Sequence, residues 1–217
     1  MPTLLQIDSS ASGTRSRSRM ITAEFADAWR TLSPDHVVAK RDLHVEQPPH
    51  LPSSSLHWPA GVIPGSREPT WETRQQQYIR EVIDADVLLV AVPMYNYSMP
   101  STLKAWIDHI HVPGVLAGLP TDQLPLRNKP AVLVSTRGAA YGGSDNPPDW
   151  DHGTAAVEIV LAQSMGMNTH RIVAHLTLAD DLEALANRRE EGRQSLENAL
   201  AEARRLATQL GGFSTPA

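Results

Sequence analysis

The stretch Val87-Leu88-Leu89-Val90-Ala91-Val92, running straight into Pro93-Met94-Tyr95-Asn96-Tyr97, decides how this chain folds. Its apolar residues follow one another without alternation, so both faces of the segment have to be covered. A strand of that kind belongs to a parallel sheet with helices on either side. Working outward, Ala131-Val132-Leu133-Val134 is a second unbroken apolar run, and Leu4-Leu5-Gln6-Ile7 a third candidate strand. Val37 to Leu43 and Arg171 to Leu176 are weaker ones. Between the runs, apolar residues recur at helical spacing over 19–31, 71–83, 103–110, 154–165 and 182–210. Met20, Phe25, Ala28 and Trp29 mark the first of these helices, Tyr78, Ile79, Val82 and Ile83 the second, and Leu103, Trp106, Ile107 and Ile110 the third. The fourth, rich in alanine, is expected to be buried, and the long charged last one to lie on the surface. Strand alternating with helix throughout predicts a doubly wound α/β sheet.

Composition narrows the rest. A chain of 217 residues, 41% hydrophobic and 20% charged, is expected to form a single domain over 1–217. It has no cysteine, which excludes disulfides, thiolate catalysis and cysteine-held metals or clusters. A formal charge of -5, with both signs mixed along the chain, argues against a nucleic-acid partner. No apolar run approaches the roughly 18 residues of a membrane span. Met1 to Asp8 reads as a strand and not as a signal peptide, so the cytoplasm is the expected compartment. Nine histidines show no zinc spacing, and no metal is expected. Two segments interrupt the alternation: 46–69, rich in proline, serine and histidine, reads as a functional loop or lid, and 142–153, with Pro147-Pro148-Asp149-Trp150, as a second insertion.

The chemistry is expected where strands end, because ligands of open α/β sheets sit beyond the carboxyl ends of the strands. After the first strand comes Ser9-Ser10-Ala11-Ser12-Gly13-Thr14-Arg15-Ser16-Arg17-Ser18-Arg19 and then a helix. Hydroxyls, arginines and a helix N-terminus suit an anion such as phosphate, while a capped, solvated loop is the plain alternative. After the third strand, Met94, Tyr95, Asn96 and Tyr97 offer flat apolar surface and an amide, suited to a planar heteroaromatic or simply to covering the sheet edge. After the fourth, Ser135-Thr136-Arg137-Gly138-Ala139-Ala140-Tyr141-Gly142-Gly143 lets backbone approach a ligand, with Arg137 or the amides placed to stabilise negative charge. The three loops together are more specific than any one of them.

On Pro93 to Tyr97 followed by Ser101-Thr102-Leu103-Lys104, on Ser9-Ser10 with Ser16-Arg17-Ser18, and on Ser135 to Ala139, the chain resembles the FMN-dependent NADH:azoreductase and NAD(P)H:quinone reductase family of the flavodoxin-like superfamily. The resemblance runs from Leu4 to the last helix. It implies a flavodoxin-like five-stranded parallel sheet in the order 2-1-3-4-5 with helices on both faces. It implies FMN, with Ser10, Ser16, Arg17 and Ser18 on its phosphate. Met94, Tyr95, Asn96 and Tyr97 would lie along its ring system, and Thr136, Arg137, Gly138 and Ala139 along the other edge. No residue is implied as catalytic, since the flavin carries the chemistry. The family uses NADH or NADPH, reduces quinones or azo compounds by two-electron ping-pong transfer, and works as a homodimer. Relatives often carry an aromatic stretch after the third helix, where this chain has Val112 to Pro120 without one; Trp58, Tyr141 and Trp150 are the candidates for an equivalent surface. Two other readings of the same scaffold are a non-enzymatic flavodoxin-type electron carrier and a flavin-free binding protein.

Overall fold

The structure, a computed structural model, describes residues 1–142 and 145–212. Gly143, the last glycine of the fourth-strand loop, and residues 143–144 of the second insertion lie outside them. In chain order the elements are β1 (Thr3–Asp8), α1 (Arg17–Thr31), β2 (Val37–Asp42), α2 (Pro69–Asp84), β3 (Val87–Pro93), α3 (Ser101–Ile110), β4 (Pro130–Thr136), α4 (His152–Glu158), β5 (Asn168–Ala174) and α5 (Arg189–Gly211). The strands form one five-stranded sheet, order β2-β1-β3-β4-β5, every neighbouring pair parallel. The expected order is borne out, and so is the two-sided burial read from 87–92, since every residue of β3 is buried.

The period of two along each strand sorts the core into two layers. Leu4, Val87, Leu89, Val132, Val134 and Ile172 face α1 and α5, meeting Ile21, Phe25, Trp29, Ala199, Ala203, Leu206 and Ala207. Leu5, Ile7, Leu88, Val90, Val92 and Leu133 face α2, α3 and α4, meeting Tyr78, Val82, Leu103, Trp106, Ile110, Val157 and Leu161. Trp29 and Trp106, each 1% exposed, are core residues, as helical spacing implied.

The inner stripes differ in detail from the sequence reading. On α1 the stripe is Ile21, Phe25, Ala26 and Trp29, and Met20 is exposed one position out of phase. On α2, Ile83 is exposed, and Gln75 is buried because its amide donates to the Leu56 and His109 carbonyls at 2.7 and 3.1 Å. The fourth helix is buried on one side only: Ile159 is exposed, and after Glu158 the helix widens into a π turn over Ile159–Ser164, with Met165 N–H reaching Val160 O. The last helix begins with a tighter turn, Glu183–Arg188, and is not merely superficial: a stripe of alanines and Leu206 brings α5 close against α1.

Segment 46–69 packs down against α2 and α3. His109 on α3 is fully buried and its Nε2 donates to the Pro49 carbonyl at 2.9 Å. Nδ1 has no partner, so the neutral ring fits the site and a second N–H would find no acceptor. Burial accordingly holds the His109 pKa below the ordinary histidine value, and it acts in the same direction on His111 and His175. When the folded pKa is the lower one, the unfolded chain binds more protons as pH falls. This stability is complete above about pH 6.5, the unfolded value, and is lost below it. Melting temperature should therefore fall between about pH 7.5 and about pH 5.5, and fall less in His109→Gln. The same pH slope in both proteins would show that His109 does not carry the effect.

Candidate active site

The carboxyl ends of β1, β3, β4 and β5 enclose a cavity of about 250 Å³. Its first wall is the loop between β1 and α1, fixed at both ends. Ser9 Oγ donates to Ala91 O at 2.9 Å, across the gap between β1 and β3. Arg19 donates to Ser10 O at 2.8 Å while its fork grips the Asp42 carboxylate at the end of β2. Burial alone would raise the Asp42 pKa, but Arg19 and the His44 and Val45 N–H groups outweigh it and hold the carboxyl below its usual range. Ser16 caps α1, its Oγ accepting Arg19 N–H. The N–H groups of a helix's first turn lack helical partners, and Ser16 and Arg17 at the start of α1 line the cavity. Ser10, Ser12, Arg15, Ser16 and Arg17 line this wall. Arg17 reaches Asp180 at 3.2 Å, an exposed pair whose hold on the guanidinium is weak.

The second wall follows β3. Tyr95 OH accepts Ala11 N–H at 2.9 Å and meets Ser10 Oγ at 3.3 Å, which joins this loop to the first. Tyr95 and Ser98 exchange both backbone hydrogen bonds, closing a tight turn around Asn96 and Tyr97 at φ 50 and 66. Asparagine tolerates that left-handed backbone; tyrosine rarely adopts it, and strain of this kind persists only where the surroundings enforce it. Here His152 N–H donates to Tyr97 O at 3.0 Å. Gly153 allows the approach: a Cβ there would lie 2.6 Å from Met99 N and from Ser98 C.

The third wall follows β4 and holds the main departure from expectation. Arg137 does not face the cavity with a free charge. Its Nε and Nη2 donate to Asp151 Oδ2 at 2.9 and 2.7 Å, and its backbone N–H is taken by Ala174 O. Asp151 also caps α4, accepting Thr154 N–H and the hydroxyls of Thr154 and Ser135. Burial pushes the Asp151 pKa up, yet the Thr154 N–H and hydroxyl and the Arg137 guanidinium prevail and hold it below the carboxylate range. Gly138 sits against Leu178, whose Cδ1 is 2.7 Å from where a Cβ would be.

The structure thus gathers Ser10, Ser16, Arg17, Met94, Tyr95, Thr136 and Gly138 on one cavity. Ser18 lies buried behind it, bonded to Ser16 Oγ at 3.1 Å. Asn96, Tyr97, Arg137 and Ala139 are beside the cavity and not among its lining residues. Sequence reasoning missed Thr177, Leu178 and Asp181, which come from the segment after β5 and carry no local signature. It also missed Asp151, although an aspartate opening an apolar helical run is a capping signal. Segment 46–69, read as a functional loop or lid, contributes nothing to this lining and lies as a strap over α2 and α3. Among the described residues no cluster of histidine and carboxylate side chains could hold a metal.

Removing Asp151 leaves Arg137 uncompensated in a site where its side chain is largely buried. Asp151→Ala should cost about 3 kcal/mol or more of unfolding free energy in urea. Because the folded carboxyl pKa is depressed, this stabilisation is present above about pH 3.9 and disappears as pH falls through the folded value. A loss below about 1 kcal/mol would mean the pair does not fasten the insertion.

The family described as the flavodoxin-like fold matches residues 2–205. A protein of Kineococcus radiotolerans named FMN-dependent NADH:quinone oxidoreductase is 46% identical over 97% of this chain and 100% of its own length. One of the same name from Frankia casuarinae is 36% identical over 96% of this chain and 100% of its own. Among solved structures, an FMN-dependent NADH-azoreductase from Bacillus anthracis in complex with FMN superposes with a TM-score of 0.76 at 18% identity, covering 97% of this chain and 100% of that one. That likeness speaks for the fold; the identities to the two oxidoreductases speak for the family. By both, the chain belongs to the FMN-dependent NADH:quinone oxidoreductases of the flavodoxin-like fold.

Proposed function

We propose that this chain binds FMN in the cavity at the carboxyl edge of the sheet and transfers two electrons from NADH to a quinone. Overall, NADH, a proton and quinone give NAD⁺ and hydroquinone; azo compounds are accepted at the same site. The observation that carries the reading is the pairing of a cationic, hydroxyl-bearing helix N-terminus with an aromatic turn across a single cavity. Full-length likeness to oxidoreductases favours an enzyme over an electron carrier or a flavin-free scaffold.

The lining fits the cofactor. Ser10, Ser16, Arg15, Arg17 and the first N–H groups of α1 suit a phosphate, with Asp181 also on the lining and Asp180 paired to Arg17. Pro93, Met94 and Tyr95 present the apolar surface a ring system requires, and on the opposite side Gly138 makes room for Leu178, which adds to it. When bound, FMN supplies the chemistry of accepting a hydride and passing on its electrons. The protein's part is to orient and to shield. Tyr95 couples the ring-side turn to the phosphate loop through Ala11 and Ser10. Arg137 serves through Asp151 as a positioning residue for the β4 loop. Negative charge near Gly138 would meet backbone amides and not that guanidinium. Ser18 supports the phosphate loop from behind, while Asn96, Tyr97 and Ala139 flank the ring. We take the enzyme to act in the cytoplasm as a homodimer; among the described residues no helix is long and apolar enough to cross a membrane.

Titrating apoprotein with FMN by fluorescence quenching tests the site. Arg17→Ala should raise the dissociation constant by about tenfold or more, the worth of a charge-assisted bond. Asp180→Asn should lower it by up to about fivefold, by freeing Arg17 from an exposed pair. No change in either would place the phosphate elsewhere. Anaerobic bleaching of the flavin by NADH, followed by reoxidation with quinone, tests the reaction itself; protein that fails to bleach is not this enzyme.

A further inference from the structure

Beside the cavity stands a corner of two large aromatic side chains facing water. Tyr97 is 50% exposed and Trp150 is 42% exposed, with ring centroids 5.4 Å apart and planes at 85°. Exposed aromatics are ordinary when isolated and mobile, but these two are neither. Tyr97 is held in a left-handed backbone by the Tyr95–Ser98 turn and by His152 N–H. Trp150 immediately precedes Asp151, whose buried carboxylate is fastened to Ser135, Arg137 and Thr154. The close approach of the two segments depends on Gly153. Tyr141 completes the corner beneath the Arg137 guanidinium, 5.9 Å from its ring centroid; burial, and then the neighbouring Tyr97, keep its phenol protonated above the usual tyrosine range.

The corner therefore uses a strained tyrosine, a buried ion pair and an obligatory glycine to immobilise apolar surface that stays wet. That is costly for folding and is what a pre-arranged stacking surface requires. Its place is fixed by the chain. Tyr97 follows the lining residues Met94 and Tyr95, and Arg137, which anchors Asp151, lies between the lining residues Thr136 and Gly138. An edge-to-face pair also offers a planar guest a ring face and a ring edge at once.

We propose that Trp150, braced by Tyr97, determines acceptor specificity by stacking on fused two-ring quinones of the naphthoquinone class. The proposal rests on the flavin reading above. It distinguishes these acceptors from one-ring quinones, which offer a smaller face to stack on, and from inorganic acceptors, which do not stack.

The test compares wild type, Trp150→Ala and Trp150→Phe, each loaded with FMN and reduced by NADH, with 1,4-naphthoquinone, 1,4-benzoquinone and ferricyanide as acceptors. Expected is a fall of about tenfold in the naphthoquinone-to-ferricyanide ratio of kcat/KM for Trp150→Ala, arising in KM, with recovery in Trp150→Phe; tenfold is about 1.4 kcal/mol, within reach of one ring contact. Calorimetric binding of 2-naphthol, which is not reduced, to the oxidised proteins should weaken in parallel. An unchanged ratio, an equal loss with all acceptors, or unchanged 2-naphthol binding would overturn the proposal. So would a shift of Trp150→Ala from dimer to monomer on size exclusion without a change in the ratio, which would make the corner a contact with a second copy. Wild type that takes up no FMN, or is not reduced by NADH, overturns the flavin reading itself.

Discussion

Hydrogen bonding in parallel forces every strand to be followed by a crossover, and a right-handed crossover delivers the next strand in the same direction. All carboxyl ends consequently share one edge, while the faces are sealed by helices and have to be apolar. Polar chemistry has nowhere else to gather. The order β2-β1-β3-β4-β5 adds one more constraint: from β1 the chain moves outward to β2 and then back past β1 to β3. The loops leaving β1 and β3 diverge to opposite faces, and a crevice opens between them. Ser9 and Tyr95 bridge that crevice at two depths, through Ala91 O and Ala11 N–H.

Charge at this edge is of two kinds. Asp8 is fully buried at the end of β1, taking the Thr22 hydroxyl at 2.7 Å, the Gln6 amide and the Lys40 ammonium. Asp151 is buried beside the end of β4 and takes Arg137. Buried carboxylates left unpaired would be expensive, so each commits nearby cations to structure. Lys40 and Arg137 are occupied in this way, and Arg19 is held chiefly by the half-buried Asp42. Arg15 and Arg17 carry at most an exposed partner and line the cavity. An arginine near a site belongs to the ligand when no buried carboxylate claims it, and by that criterion Arg137 belongs to the scaffold.

The fold was legible because its signal is local. Unbroken apolar runs at 87–92 and 131–134 can be satisfied only between two helical layers, and they reappear as β3 and β4. The loop between β1 and α1 was legible for a similar reason, since Ser16 acts on its own helix within three residues. What stayed hidden depends on distance in sequence. Asp151 meets Arg137 fourteen residues away, and Leu178 reaches Gly138 only because β5 runs beside β4. A serine such as Ser18 can face the ligand or back its neighbour, and helical phase, not residue type, decides. Met20 fell out of phase on α1 for the same reason.

The two insertions looked alike as sequence, proline-bearing and too long for ordinary turns, yet they do opposite work. Segment 46–69 is tied to α2 and α3 through the His109 ring, the Gln75 amide and, at its far end, the Arg67–Glu72 ion pair. Segment 142–153 is tied through an ion pair to the loop that borders the cavity. The two attachments respond to acid in sequence. Burial lowers the His109 pKa, so its contribution begins to weaken below the ordinary histidine value, while the Asp151 carboxyl, held low, stays ionised through that whole range. Mild acid thus loosens the strap before it touches the wall of the site. The geometry beside the cavity is set by the attachment that neutral and mildly acidic water leaves intact.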